Sequence, residues 1–185
     1  MPTNKTNNFR LFEQEKERTN PMVATLADRL IEIRKKNIAA SMSDFEGSAH
    51  KLQKVKTVNG VDFIDDARST NINAVWYSLS SMTKPTVLIT NLDDVQKISD
   101  DLIEKVEEKV KCIVLQGVYN TDVFARFSEL QVPVYGEMNM EDAVSQAYYL
   151  CERGYAVLFA PGMAGTVGIS YREKGEQFQN AVAQL

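Results

Sequence analysis

One histidine, two cysteines and one tryptophan in 185 residues leave little material for the common catalytic constellations. His50 has no serine or cysteine nucleophile beside it, so neither a Ser-His nor a Cys-His unit is legible. A loop histidine of this kind is a structural or a solvated one. Cys112 in "VKCIVLQG" and Cys151 in "AYYLCERG" have no metal-ligand spacing and form no C-x-x-C. Their apolar company suits small buried hydrophobes. Neither G-x-x-x-x-G-K-[ST] nor G-x-G-x-x-G occurs, so these residues offer no recognisable triphosphate cradle. A basic excess is missing too. The formal net charge is -4, and the longest basic run, Arg34-Lys35-Lys36, is too short for a nucleic-acid or anionic-membrane surface. No apolar run approaches the roughly 20 residues that span a bilayer. "MPTNKTNNFR" lacks the apolar core of a secretory signal, and a cytoplasmic protein is expected.

What is present is enough for one well-buried domain, with 44% hydrophobic residues. Residues 1 to about 20 read as a polar tail or peripheral helix. Pro21 suits a first helical turn, and Val23, Leu26, Leu30 and Ile33 follow as a single apolar stripe. "EGSAH" reads as a loop. "KLQKVKTV" then alternates like a strand, Asn59-Gly60 is a hairpin turn, and "VDFIDD" is its partner. Apolar runs at 86–91, 112–117, 132–136 and 156–161 alternate with helical patterns near 95–110, 120–129, 140–153 and 172–184. The expected fold is α/β: a Rossmann-like, mostly parallel sheet with an antiparallel hairpin strand at its start, helices on both faces and an N-terminal helical extension. Residues 1–36 form the extension and 37–185 the domain.

In such a sheet ligands bind beyond the carboxyl ends of the strands. One such end carries Asp65 and Asp66 with Ser69, Thr70 and Asn71 at the start of the next helix. Two readings stand side by side. Asp66 accepts hydrogen bonds from a ribose or amine while Thr70 and Asn71 meet an anion at the helix N-terminus; or Ser69 or Thr70 caps the helix and the aspartates serve the turn. A second end, "APGMAGTVG", is glycine-rich and matches no phosphate-loop pattern. The carboxylates of "SDDLIEKVEEK" read as a solvated helix face.

The ordered series "DFEGSAHKLQKVKTVNGVDFIDDARSTNINAVWYSLSSMTKP", "CIVLQGVYNTDVF", "MEDAVSQAYYL" and "AVLFAPGMAGTVGISYREKGEQF" resembles the C-terminal domain of the Mur ligases across roughly residues 37–185. That resemblance implies a closing domain in a three-domain enzyme whose central domain holds ATP and magnesium. It implies that Asp66 contacts a nucleotide ribose and that Thr70 and Asn71 stand at the substrate helix. Lys51 stands where the family has a phosphate-contacting arginine, retaining charge without the bidentate fork. Arg68 stands in place of a lysine, and Asp94 roughly in place of a substrate-binding lysine. Gly165 lies near a carboxylate-binding serine, and Tyr171 near an aromatic of the same loop. The charge reversal and lost donor should weaken binding of an acidic substrate by roughly several kcal/mol.

The function expected from this is a stand-alone Mur-type C-terminal domain without ligase activity of its own, a binding or assembly module linked to peptidoglycan synthesis. The alternatives are a subunit of a split ATP-dependent ligase completed by a separate ATP-binding chain, or a nucleotide or amino-acid sensor. No catalytic residue and no metal ligand is assigned, and the binding residues are Lys51, Asp66, Arg68, Thr70, Asn71, Gly165 and Tyr171. No cofactor belongs to this chain; ATP and Mg enter only with a partner. A homo-oligomer or protein partner would dock on the N-terminal helix, and neither nucleic acid nor membrane is a partner.

Overall fold

In the computed structural model, residues 29, 32–33, 36, 49–117, 120–163 and 169–185 are described. The chain divides into two compact units, residues 1–41 and 42–185. In the first, Arg29, Glu32, Ile33 and Lys36 are helical, and Ile33 is about half-exposed. Val23, Leu26 and Leu30, and with them most of the apolar stripe proposed for a partner, lie outside the described residues.

The second unit opens with β1 (Gln53–Val58) and β2 (Val61–Asp65), paired antiparallel through Asn59-Gly60. Both turn residues have positive φ, 49° and 88°, as the Asn-Gly pair suggests. A register shift between Lys54 and Lys56 bends β1. Then come α1 (Ile72–Ser81), β3 (Thr86–Thr90), α2 (Asp100–Lys109), β4 (Val110–Gln116), α3 (Thr121–Ser128), β5 (Val134–Glu137), α4 (Met140–Tyr149), β6 (Ala156–Phe159) and α5 (Tyr171–Ala183). The sheet order is β1-β2-β6-β3-β4-β5, and every pair after the hairpin is parallel. The mostly parallel α/β fold is as the sequence suggests.

Alternation along the buried strands divides two cores. Leu88, Ile113, Leu115 and Leu158 face α1, α2 and α3, with Val75, Leu79, Leu102, Val106 and Phe127. Val87, Ile89, Val114, Val157 and Phe159 face α4 and α5, with Val144, Ala147, Phe178 and Val182. All five residues of "TVLIT", three apolar ones and their flanking threonines, are buried because β3 is covered on both sides. Phe159 and Phe178 stack at 5.3 Å between centroids and seal α5 to the sheet.

Two boundaries differ from the sequence expectation. The helix expected over 95–110 divides into a 3-10 turn, Val95–Lys97, and α2. Asp94 caps the first and Ser99 the second, each accepting from a backbone N–H of the turn that follows. Two capping residues five apart overrode a continuous apolar rhythm. The helix expected to 153 ends at Tyr149, and Gly154 at φ 97° turns the chain toward β6.

Cys112 is buried and Cys151 half-buried, and burial pushes their thiols up to about 11 and about 12. Both should therefore react slowly with a thiol reagent at neutral pH in the folded protein and at ordinary rates in urea; a chromogenic disulfide assay reads this directly. Phe178→Ala should cost about 3–5 kcal/mol in urea denaturation, whereas Tyr149→Ala, at a fully solvated position, should stay within about 0.5 kcal/mol.

Candidate functional site

The carboxyl ends of β2, β6, β3 and β4 lie side by side, and the loops that leave them are laced by backbone hydrogen bonds. Asp66 N–H donates to Phe159 O at 2.9 Å, Asn91 N–H to Pro161 O at 3.0 Å and Gly162 N–H to Ser69 O at 2.7 Å. Gly162 has φ 74°, and a Cβ there would stand 2.5 Å from Leu92 Cδ2, so only glycine lets this loop lie against the β3 loop.

Asp66 is at the centre of the first junction and is fully buried. Its Oδ1 accepts from Leu52 N–H at 3.1 Å and lies 3.4 Å from Lys51 Nζ. Its Oδ2 accepts from the hydroxyls of Ser69 and Ser78. Burial pushes its carboxyl up from the ordinary range, and the Lys51 charge and the two hydroxyls pull it back down. Lys51 is itself only 3% exposed, with its ammonium 5.2 Å from the Tyr77 ring centroid. The structure thus brings Lys51 and Asp66 together as partners of each other.

Asp65, on the opposite side of the strand end, is equally buried. His50 Nδ1 donates to Asp65 Oδ2 at 2.7 Å, Gln179 Nε2 donates to the same oxygen at 2.7 Å, and Ala67 N–H donates to Oδ1 at 3.0 Å. The lone histidine is structural, as one of its two readings held. It packs against Gly175 of α5, where a Cβ would meet Nδ1 at 2.1 Å. His50 and Leu52 both adopt positive φ, 61° and 44°, which costs a non-glycine residue about 1–3 kcal/mol. The bonds to Asp65 and Asp66 hold that loop in place.

The remaining candidates fall into two groups. Arg68 places its guanidinium 5.7 Å from the Tyr171 ring centroid, and Tyr171 in turn meets the His50 ring edge-on at 6.5 Å. Thr70 and Asn71 line a cleft of about 570 Å³ with Asn73, Asp93, Asp94, Lys97 and Gly162. The cap of α1 is Asn71, whose Oδ1 accepts from Ala74 N–H at 3.0 Å, and neither Ser69 nor Thr70 serves in that role. Ser69 is turned inward to Asp66, and Thr70 donates only its backbone N–H, to Arg68 O, among the described residues. Asp94 spends Oδ1 on Gln96 N–H at 3.0 Å and Oδ2 on Lys97 Nζ at 3.1 Å, so its charge is matched within its own turn. Gly165 lies outside the described residues. No group of three or more metal-ligating side chains occurs among the described residues.

Sequence reasoning missed Ser78, Asn91 and Lys174. Ser78 sits on the buried face of α1, between Val75 and Leu79, and a hydroxyl on an apolar stripe was the available signal. Lys174 is 7% exposed, and its ammonium donates to Asn91 Oδ1 at 3.3 Å across 83 residues of sequence. No local pattern announces such a pair.

No family model matches the chain. It is 38% identical over 167 residues to the UDP-N-acetylmuramoylalanine–D-glutamate ligase of Christiangramia forsetii, covering 90% of this chain and 38% of that one. It is 39% identical over 168 residues to the same-named ligase of Bacteroides fragilis, again covering 90% of this chain and 38% of the other. The chain thus spans under two-fifths of the length of the curated relatives it matches. Among solved structures, the murein peptide ligase Mpl of Psychrobacter arcticus superposes with a TM-score of 0.52 at 11% identity, over 79% of this chain and 32% of that one. The UDP-N-acetylmuramate–alanine ligase of Thermotoga maritima superposes with a TM-score of 0.50 at 12% identity, over 76% and 31%. At those identities the superpositions establish the fold.

Because Lys51 is the one described cation beside the enclosed Asp66, Lys51→Met should destabilise the domain by about 3–5 kcal/mol in chemical denaturation. The double variant with Asp66→Asn should recover part of that loss, and the double-mutant cycle measures how much.

Proposed function

The chain belongs to the Mur ligase family at the level of that family's C-terminal domain, and from that premise we propose that it is a binding and assembly module of peptidoglycan-precursor synthesis, working in the cytoplasm without ligase activity of its own. The observation that carries the reading is the division of labour at the β2–α1 junction. Asp66 and Lys51 are paired with each other, and Asp66 also with two buried hydroxyls, whereas Thr70 and Asn71 line an open cleft with Gly162. A ligand there meets a hydroxyl, amides and the N-terminal end of α1 beside the matched Asp94–Lys97 pair, and does not meet the Lys51–Asp66 pair. Such a face positions a nucleotide or amino acid. The Asp94–Lys97 pair also leaves the cleft without a free lysine to receive a second carboxylate.

A second reading is favoured by the retention of the Thr-Asn pair at this cleft. The domain would then form one wall of a split ATP-dependent amino-acid ligase, whose phosphate loop and magnesium come from another chain. The two readings separate in a phosphate-release assay with a candidate ATP-binding partner, UDP-sugar and amino acid.

Calorimetry with ADP, ATP and D- or L-glutamate should show saturable binding of one of these to the domain. Thr70→Ala should weaken it about tenfold, the loss of a hydrogen bond to a charged ligand group. No heat with any of them, or an affinity indifferent to Thr70→Ala, overturns the ligand face.

A further inference from the structure

Lys174 is a buried cation in search of an anion. It stands in the first turn of α5, an unfavourable place for positive charge, since the helix N-terminus is itself positive. The neighbouring carboxylate does not relieve it: Glu173 accepts from the Ser170 N–H at 2.7 Å and closes the capping box. Asp65 and Asp66 are committed to His50, Gln179, Lys51 and two serines. Among the described residues Lys174 forms no ion pair and spends one donor of three, on Asn91 Oδ1. Asn91 is held in that orientation because its amide nitrogen donates to both the backbone O and Oε1 of Gln116, each at 2.5 Å, and Gln116 Nε2 donates onward to Met138 O at 2.9 Å.

This ammonium lines a second cleft of about 250 Å³ at the carboxyl ends of β3 and β4, with Asn91, Asp93, Gln116, Gly117 and Gln177, adjoining the Thr70 cleft at Asp93. Burial pushes the Lys174 amine down from its ordinary range, and the Asp93 charge pulls it back. A buried ion without a close counterion is costly, and an anion in the cleft removes the cost.

We propose that this cleft is a second ligand site, distinct from the Thr70 cleft, that takes a small monoanionic carboxylate on the Lys174 ammonium. Asn91 and Gln116, bonded to each other, hold the Lys174 ammonium at the cleft, Gln177, Met163 and Ile169 also line it, and Asp93 at the same cleft disfavours a dianion such as phosphate. The site does not rest on the function proposed above: Asp93 borders both clefts, but Thr70, Asn71 and Gly162, which carry that reading, do not line this one.

The test is a ¹H–¹⁵N titration of the full chain with propionate, with inorganic phosphate and with chloride at matched ionic strength. Propionate should produce saturable shifts at the amides of Gln116, Gly117 and Gln177. Lys174→Met, which keeps the apolar stem, should lower that affinity at least about tenfold. Asp93→Asn should raise propionate affinity and narrow the preference over phosphate, and Thr70→Ala should change nothing here. Shifts that chloride reproduces or that do not saturate, tighter binding of phosphate than of propionate, or an affinity unchanged in both Lys174→Met and Asp93→Asn each overturn the proposal. If Lys174→Met fails to fold, the Asp93→Asn titration decides alone.

Discussion

The enclosure of one carboxylate governs the shape of the ligand-facing edge. Asp66 draws four separate groups inward: the ammonium of Lys51, the Leu52 amide, and the hydroxyls of Ser69 and Ser78. Those groups come from the loop before β1, the β2–α1 turn and the middle of α1, so a single buried charge fixes three segments relative to one another. Hydrogen bonds to a charged acceptor are worth more than neutral ones, and inside a low-dielectric environment each strengthens the case for the others. Asp65, one residue earlier, does the same on the other face of the strand, tying the His50 loop to α5. The alternation of a strand sends the two side chains to opposite faces, which is why adjacent aspartates can serve two different networks.

This arrangement explains how a loop can carry two non-glycine residues at positive φ. His50 and Leu52 are held there by the aspartates they contact, and the local cost is offset by bonds that exist only in that conformation. Beyond the rim so fixed, the Thr70 cleft faces outward with mostly neutral or locally matched groups. Polar recognition at such a rim depends on placement more than on charge, and placement is what the buried aspartates guarantee.

The fold was legible because its signals are regional. Buried strands of four to seven residues separated by amphipathic helices produce a rhythm that no single residue has to carry, and the Asn59-Gly60 turn marks the one antiparallel step. Where a local competitor intervened, the reading slipped: Asp94 and Ser99 each capped a helix within a stretch whose apolar spacing ran on unbroken. The site was less legible for a different reason. That Asp66 matters could be read from its place at a strand end. That its partners are Ser78 and Lys51 depends on contacts across 12 and 15 residues, and the Lys174–Asn91 contact spans 83. A sequence shows that a cation exists; only the sheet order, which sets α5 beside the end of β3, shows which oxygen it meets.

The two sulfurs give the domain a practical property. With Cys112 buried against Ile113 O and Cys151 half-buried, and both thiols pushed away from the thiolate by burial, the native chain should react slowly with maleimides and other soft electrophiles. A single engineered cysteine at an exposed position, Gln96 on the turn beside the Thr70 cleft for instance, would therefore be the dominant handle for a fluorophore or spin label without first removing either native sulfur. The packing that made these residues uninformative about chemistry makes the molecule well suited to reporting its own ligands.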